Sequence, residues 1–425
     1  MRILLTVESY YAPGGGGIAE QVKQIAERLT ALGNDVTVAT SLYEPRQQTI
    51  NGVHIVGFRI SGNAVIGMEG DIESYRAFLR QGGFDVMVNF AANVWSTDIP
   101  LMLARDIPMK KILSTPGMSM LNQTPAYNMF QSGLYFAWLR NLVLHTFVHR
   151  IMRMFYGQKP AGHGVYPTYD AYYQDLYVPA LKFYDAIVYT SGSYQDKLFG
   201  DKNGLGDKAV VIPNGASETE FSRKDIRPLA DFLPAAKKKR VIISVSNHYL
   251  AKGHAFVIDA FRKMKRDDAV LLLIGQIPVG QGIKKLAHVF VGCYMDCKLA
   301  SMLHRDVFVM DGANREFVLS AYKNADLFLF GSQLECAPLV MYESFASKTP
   351  FVTTNVGNVQ DHKDYIRIVS TPAQMAKEAN RLLDDQDSRG ALADKAFDAW
   401  RTSYTWDAVA RQYDALVKKM VQNHA

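Results

Sequence analysis

Within this 425-residue chain, two acids stand eight positions apart where a strand gives way to a helix. The run from Asp326 to Phe330, apolar after its first residue, reads as a strand, and Gly331, Ser332, Gln333 and Leu334 carry the chain to Glu335. Pro338 suits a first helical turn, so Glu343 is expected about one and a half turns into the helix while Glu335 stays in the loop. Carboxylates accept hydrogen bonds from vicinal hydroxyls, and the backbone amides near Pro338 to Val340, at the start of the helix, supply donors. An exposed helical acid is the plainer reading of Glu343 alone. The pair at the lip of a crevice points instead to polyol binding.

A second stretch, Ser246, Asn247, His248, Tyr249, Leu250, Ala251, Lys252, Gly253 and His254, also joins a strand to a helix. A lysine held there can neutralise a departing diphosphate; an ordinary surface lysine is the alternative. The third signal is Pro13 followed by Gly14, Gly15, Gly16 and Gly17, directly before the helix expected at 18–32. Glycines let a backbone approach a ligand closely, and the helix end offers unpaired N–H groups to an anion. The spacing is not the dinucleotide fingerprint, and such turns also serve as plain connections.

The elements that must position these groups alternate from end to end, as in parallel sheets covered by helices. Strands are expected at 3–7, 35–39, 53–57, 86–89, 111–114, 186–190 and 210–212, then at 241–245, 270–274, 307–310, 327–330, 351–354 and 366–369. The helix 18–32 carries Ile18, Val22, Ile25, Ala26 and Leu29 on one face, with Gly33 as its stop. Pro213, Pro228, Pro234 and the basic run 237–240 separate two Rossmann-like halves. The expected division is a first domain over 1–220, a linker over 221–239 and a second domain over 240–404, with a last helix over 405–425 packing back on the first.

The region 118–182 interrupts this rhythm and reads as an aromatic insertion. A helix candidate over 134–155 mixes Trp138 and Phe147 with Arg140, His145, His149 and Arg150. Such a surface suits either contact with a membrane face or a lid on the first domain.

Composition excludes several classes. Hydrophobic residues at 48% and charged residues at 21% belong to a folded protein rather than a disordered one. A net charge of +6, spread along the chain, does not indicate nucleic-acid binding, although it suits anionic diphosphates or anionic lipid. No apolar run is long enough to span a bilayer, and the N-terminal one is too short for a signal peptide. Three cysteines, Cys293, Cys297 and Cys336, are too few and too oddly placed for a disulfide framework or a four-ligand metal site, so a reducing cytoplasm is expected. Cys293 and Cys297, four apart, read as buried small hydrophobes; His145 and His149, also four apart, have no third ligand placed by the sequence.

The Glu335 and Glu343 pair resembles the E-x7-E motif of retaining GT-B glycosyltransferases of family four, the glycosyl transferases group 1 type. Val211 to Gly215 is similar to that family's V-I-P-N-G turn, and Phe345-Ala346 with Pro350 to Gly357 resembles its A-x-G-x-P-V-V-x-T-x-x-G continuation. The segment from Ser403 to Tyr413 is similar to the final helices, so the likeness runs along nearly the whole chain. It implies an α/β GT-B fold, two doubly wound Rossmann-like domains facing each other across a cleft.

It implies further that Glu335 and Lys252 are catalytic, Glu335 near the anomeric centre and Lys252 on the diphosphate. Gly15, Gly16, Gly17, Asn247, Gly275, Pro338, Leu339, Val340 and Glu343 would bind the nucleotide-sugar donor, Glu343 at the ribose. Pro116, Gly117 and Met118 would lie on the acceptor side. The expected reaction moves a hexose-type sugar to a hydroxyl of a glycan or lipid-linked cell-envelope acceptor with retention, with no cofactor and no metal. The expected location is cytoplasmic, with room for peripheral contact at the inner membrane face.

Two departures leave alternatives open. The family's G-R-x4-K-G has Ser246 and Asn247 here, so one diphosphate cation is missing, with Arg315, Lys284 and His254 as candidate replacements. The family's His-Gly is Pro116-Gly117 here. An active transferase, a catalytically impaired homologue serving as a nucleotide-sugar binding or assembly subunit, and another enzyme on this scaffold such as an epimerase or phosphorylase all fit.

Overall fold

The computed structural model describes residues 1–11, 16–42, 47–115, 164–277 and 293–422. They fall into two units: Met1–Leu121, Gln158–Asn214 and Trp406–Ala425 form one, and Gly215–Thr405 the body of the other.

The first unit holds β1 (Arg2–Thr6), β2 (Asp35–Ser41), β3 (Thr49–Ile50), β4 (Val53–Phe58), β5 (Ile60–Asn63), β6 (Gly67–Gly70), β7 (Val86–Phe90), β8 (Lys110–Thr115), β9 (Ala186–Tyr189) and β10 (Ala209–Val211). Its main sheet runs β10-β9-β8-β7-β1-β2-β4-β3, parallel except for β3. Strand β1 lies between β2 and β7, with Ile3, Leu4 and Leu5 fully buried; a parallel strand covered on both faces reads as a continuous apolar run. Helix α1 (Gly17–Ala31) buries Val22, Ile25, Ala26 and Leu29. It ends where Gly33, at φ 85°, donates to Thr30 O while Asn34 N reaches Leu29 O, the paired C-terminal bonds of a glycine stop.

The expected strands are present with boundaries shifted by at most two residues. The hairpin β5–β6 and the short β3 were not expected. Gly62, Gly67 and Gly70 dilute the alternation that betrays a strand, and Gly62 is required because a Cβ there would meet Gly67 O at 1.8 Å. Of the aromatic region, residues 164–182 pack Tyr172, Tyr173 and Tyr177 into the core of this unit. The helix candidate 134–155, with His145 and His149, lies outside the described residues.

The second unit holds β11 (Arg240–Val245), β12 (Ala269–Gly275), β13 (Val307–Asp311), β14 (Leu327–Phe330), β15 (Phe351–Thr354) and β16 (Arg367–Val369). All its strand pairs are parallel, in the order β13-β12-β11-β14-β15-β16. Numbered within the unit, this is 3-2-1-4-5-6, the doubly wound order whose direction reverses between its first and fourth strands. Helices α2 (His254–Met264), α3 (Tyr294–Leu303), α4 (Arg315–Asn324) and α5 (Leu339–Ala346) follow β11, β12, β13 and β14 respectively. From the stretch 221–239, Phe221 and Leu229 join the core of this unit.

The last helix, α6 (Trp406–Gln422), belongs to the first unit. Tyr413 OH lies 2.7 Å from Ser114 Oγ, and Asn34 Nδ2 donates to Asp414 Oδ1 at 2.9 Å. Among the described residues no helix is long and apolar enough to cross a membrane.

Candidate active site

At the reversal point of the second unit, the loops leaving the carboxyl ends of β11 and β14 lie side by side. Open α/β sheets bind ligands at this position. Gln333 N donates to Ala251 O at 2.8 Å, and Ser332 Oγ donates to the same carbonyl at 3.1 Å. Glycine makes the approach possible: Gly253 has φ 66°, and a Cβ on it would meet Gly331 O at 1.8 Å.

This apposition brings Lys252 to Glu335. Lys252 Nζ donates to Glu335 Oε1 at 2.5 Å, and Ser332 Oγ, whose single proton is shared between this oxygen and Ala251 O, lies 3.0 Å from it. The carboxylate side chain is 12% exposed and the lysine 28%. An ammonium with three donors can hold a carboxylate and still present a proton to a phosphate oxygen.

Glu343 sits on α5, held by two partners. Arg315 Nη2 donates to its Oε1 at 2.6 Å and Tyr322 OH to its Oε2 at 2.9 Å. Arg315 also grips Glu220 through Nε at 3.1 Å and Nη2 at 2.7 Å. Burial pulls the guanidinium pKa down, but Glu343 and Glu220 outweigh it and hold the group above its ordinary value. Burial and then the Glu343 carboxylate push Tyr322 well up, so it stays a donor.

Pro338 stands one residue earlier than expected, at the N-cap of α5 with φ −66° and ψ 120°. Leu339 and Val340 are therefore the first helical residues, and their N–H groups belong to the orphan donors of the first turn. Gly275 ends β12, where a Cβ would meet Ser246 O at 2.2 Å, so close packing of the β11 loop already demands glycine. Asn247 is exposed and brings no charge. In the first unit, Gly16 is the N-cap of α1 and Gly17 its first residue. Gly15, Pro116, Gly117, Met118 and Lys284 lie outside the described residues.

The candidates for a replacement cation separate here. Arg315 is committed to Glu343 and Glu220. His254 is fully buried, with Nε2 2.9 Å from Ser246 Oγ and Nδ1 3.2 Å from Cys293 Sγ. Neither is a loose cation awaiting a diphosphate. Cys293 and Cys297 are buried, as expected, but not among hydrophobes alone: His248 and His254 join them, and the four potential ligand atoms lie within 4.8 Å of one another. A hydrogen bond from Cys297, opposed by burial and aided by the two histidines, holds the Cys293 thiol below its ordinary pKa, while burial raises that of Cys297. Counting cysteines alone concealed this group. Tyr322 and Glu220 were also missed; Ser217 accepting from Glu220 N marks a helix start, but nothing near Glu220 in sequence points to Arg315.

Two Rossmann-like units, the second with a lysine–carboxylate pair at its strand reversal, define the GT-B fold. Residues 225–398 match the family model described as Glycosyl transferases group 1. The match lies within the second unit, which is similar there to the group 1 glycosyltransferases. The chain is similar to N-acetyl-alpha-D-glucosaminyl L-malate synthase of Bacillus anthracis, 24% identical over 48% of this chain and 52% of that protein, so the match spans about half the length of that relative. An uncharacterized glycosyltransferase of Methanocaldococcus jannaschii is 23% identical over 97% of this chain and 96% of its own length. Among solved structures, Anabaena HepE in complex with UDP-glucose superposes with a TM-score of 0.68 at 14% identity, covering 99% of this chain and 100% of that one.

Proposed function

We propose that this protein transfers a hexose-type sugar from a nucleoside-diphosphate sugar to an acceptor hydroxyl, with retention of anomeric configuration and without a catalytic metal. The observation that carries this reading is the Lys252–Glu335 pair at the strand reversal of the second unit, with Glu343 held on the neighbouring helix. The UDP-glucose bound by the HepE relative supports a nucleotide-sugar donor.

Each group has a task that its setting suits. Lys252 stabilises the charge that grows on the diphosphate as the C1–O bond breaks. Preorganised charge of this kind in a partly dry site is commonly the largest catalytic contribution. Glu335, fixed by Lys252 and Ser332, accepts hydrogen bonds from sugar hydroxyls. Glu343, clamped by Arg315 and Tyr322, accepts from ribose hydroxyls. The acceptor oxygen bonds to C1 on the face the diphosphate leaves, and its proton passes to the departing phosphate oxygen. The acceptor is a glycan or lipid-linked cell-envelope saccharide, and the protein works in the cytoplasm, at times beside the membrane.

Calorimetric titration with UDP, GDP, ADP and their sugars tests the reading. One nucleotide family binds, and its sugar is consumed with release of the diphosphate. Binding without turnover in the presence of varied acceptors transfers the assignment to a nucleotide-sugar binding subunit, a reading to which the neutral Asn247 lends weight.

A further inference from the structure

We propose that His248, His254, Cys293 and Cys297 form a structural zinc site that fastens the loop carrying Lys252. The proposal stands on the geometry of these four residues and does not depend on the transfer reaction.

All four side chains are sealed from solvent: three are 0% exposed and Cys293 is 1% exposed. Their spacing is His-x5-His and Cys-x3-Cys, within the intervals that tetrahedral zinc sites use. Around zinc with ordinary Zn–S and Zn–N bonds, ligand atoms stand about 3.4–3.8 Å apart. Here His254 Nδ1 is 3.2 Å and His248 Nδ1 3.9 Å from Cys293 Sγ, and no two ligand atoms are farther apart than 4.8 Å. Both histidines turn Nδ1 to the same sulfur. The longest edge closes by about 1 Å to reach a regular tetrahedron.

Two further observations point to an ion rather than to ordinary packing. His254 Nε2 lies 2.9 Å from Ser246 Oγ; in the tautomer that donates there, Nδ1 is the bare nitrogen facing the thiols, and such an outer hydrogen bond is the one by which metal-bound histidines are oriented. His248 is completely buried, yet its Nε2 finds no hydrogen-bond partner among the described residues; a dry polar ring with only a distant sulfur beside Nδ1 is costly unless something stronger holds that nitrogen. Two sulfurs and two imidazoles suit zinc, and four protein ligands close the coordination sphere, which makes the site structural rather than catalytic.

The placement gives the site a purpose. The two histidines bracket Lys252 on the β11–α2 loop, while Cys293 is the N-cap of α3 and Cys297 lies in its first turns. A metal would join this loop to α3 at both sides of the lysine, adding to the Ser246–His254 side-chain contact that already links its ends.

The test uses the full chain, purified under reducing conditions without chelator and freed of any affinity tag. Mass-spectrometric metal analysis is expected to find one zinc per chain. Cobalt(II) introduced after metal removal is expected to give the intense d–d absorption of a tetrahedral centre together with a thiolate-to-cobalt charge-transfer band. Cys297→Ala abolishes both signals, and Ser246→Ala, which removes only the outer hydrogen bond, weakens metal retention roughly 10–100-fold. If Cys297→Ala does not fold, wild-type metal content and the cobalt spectrum decide on their own. A wild-type chain that carries no zinc and takes up cobalt without a thiolate band overturns the proposal. A Cys293–Cys297 disulfide in freshly purified reduced protein does so as well.

Discussion

Arg315→Met separates two roles that the sequence left open for this arginine. The structure places its guanidinium between Glu343 and Glu220, with three hydrogen bonds of 2.6, 2.7 and 3.1 Å. Removing it leaves two carboxylates without their cation. Arg315 is 43% exposed while Glu343 is only 14% exposed, so the loss falls between that of a surface pair, up to about 1 kcal/mol, and that of a buried one, about 3–5 kcal/mol. Discounting for solvent, the variant is expected to lose about 1–2 kcal/mol, or roughly 2–8 °C in melting temperature for a domain of this size. Among the described residues Glu343 keeps only the Tyr322 bond, so ribose binding loosens. The KM for donor should rise on the order of tenfold, about 1.4 kcal/mol, with kcat changed little. Steady-state kinetics with varied donor, beside a thermal melt, reads both numbers. A kcat lowered a hundredfold at unchanged KM would show that Arg315 meets the diphosphate in the transition state and would refute the clamp. Unchanged kinetics would remove Glu343 from the donor site.

Three other changes probe separate parts of the account. Lys252→Met should lower kcat by about 10²–10³-fold, the size seen when one preorganised donor to a developing anion is deleted, while the far-ultraviolet spectrum stays native; a fall under threefold would exclude Lys252 from the chemistry. Gly253→Ala should cost at least about 2 kcal/mol in denaturant unfolding, since φ is positive and the Cβ would strike Gly331 O; a neutral effect would mean the two loops part easily. His362, buried beside Tyr342 with Nε2 3.1 Å from its hydroxyl, has its pKa lowered by burial to about 4, partly offset by Asp361. The unfolded chain therefore binds the proton first, and the stability this neutral ring contributes is full above pH 6.5 and lost as pH falls toward 4. The loss reaches about 3 kcal/mol, and His362→Gln should remove that slope from unfolding curves taken between pH 4 and 7.

The alternation of strands and helices could be read from the chain because both main sheets are parallel, but for the short β3, and their central strands are buried. Val241, Ile242 and Ile243 or Leu271, Leu272 and Leu273 then stand as unbroken apolar runs. The loops bearing Lys252 and Glu335 could be read too, since each begins where such a run stops. What the sequence concealed is contact at a distance. Arg315 and Glu220 are 95 residues apart, and His254 and Cys293 are 39 apart; no local periodicity encodes either meeting. The β5–β6 hairpin escaped notice because its glycines serve the backbone rather than the core. Pro338 differed by one position, since proline fits the N-cap of α5 as well as its first turn.

The measurement closest to the central claim is the release of nucleoside diphosphate from UDP-, GDP- and ADP-sugars by the wild-type chain and by Glu335→Gln, side by side. The account predicts that one donor is turned over by the wild type and that the amide variant, which keeps the shape but loses the charge that grips the sugar and pairs with Lys252, is slower by on the order of 10². Equal rates for the two proteins would contradict it.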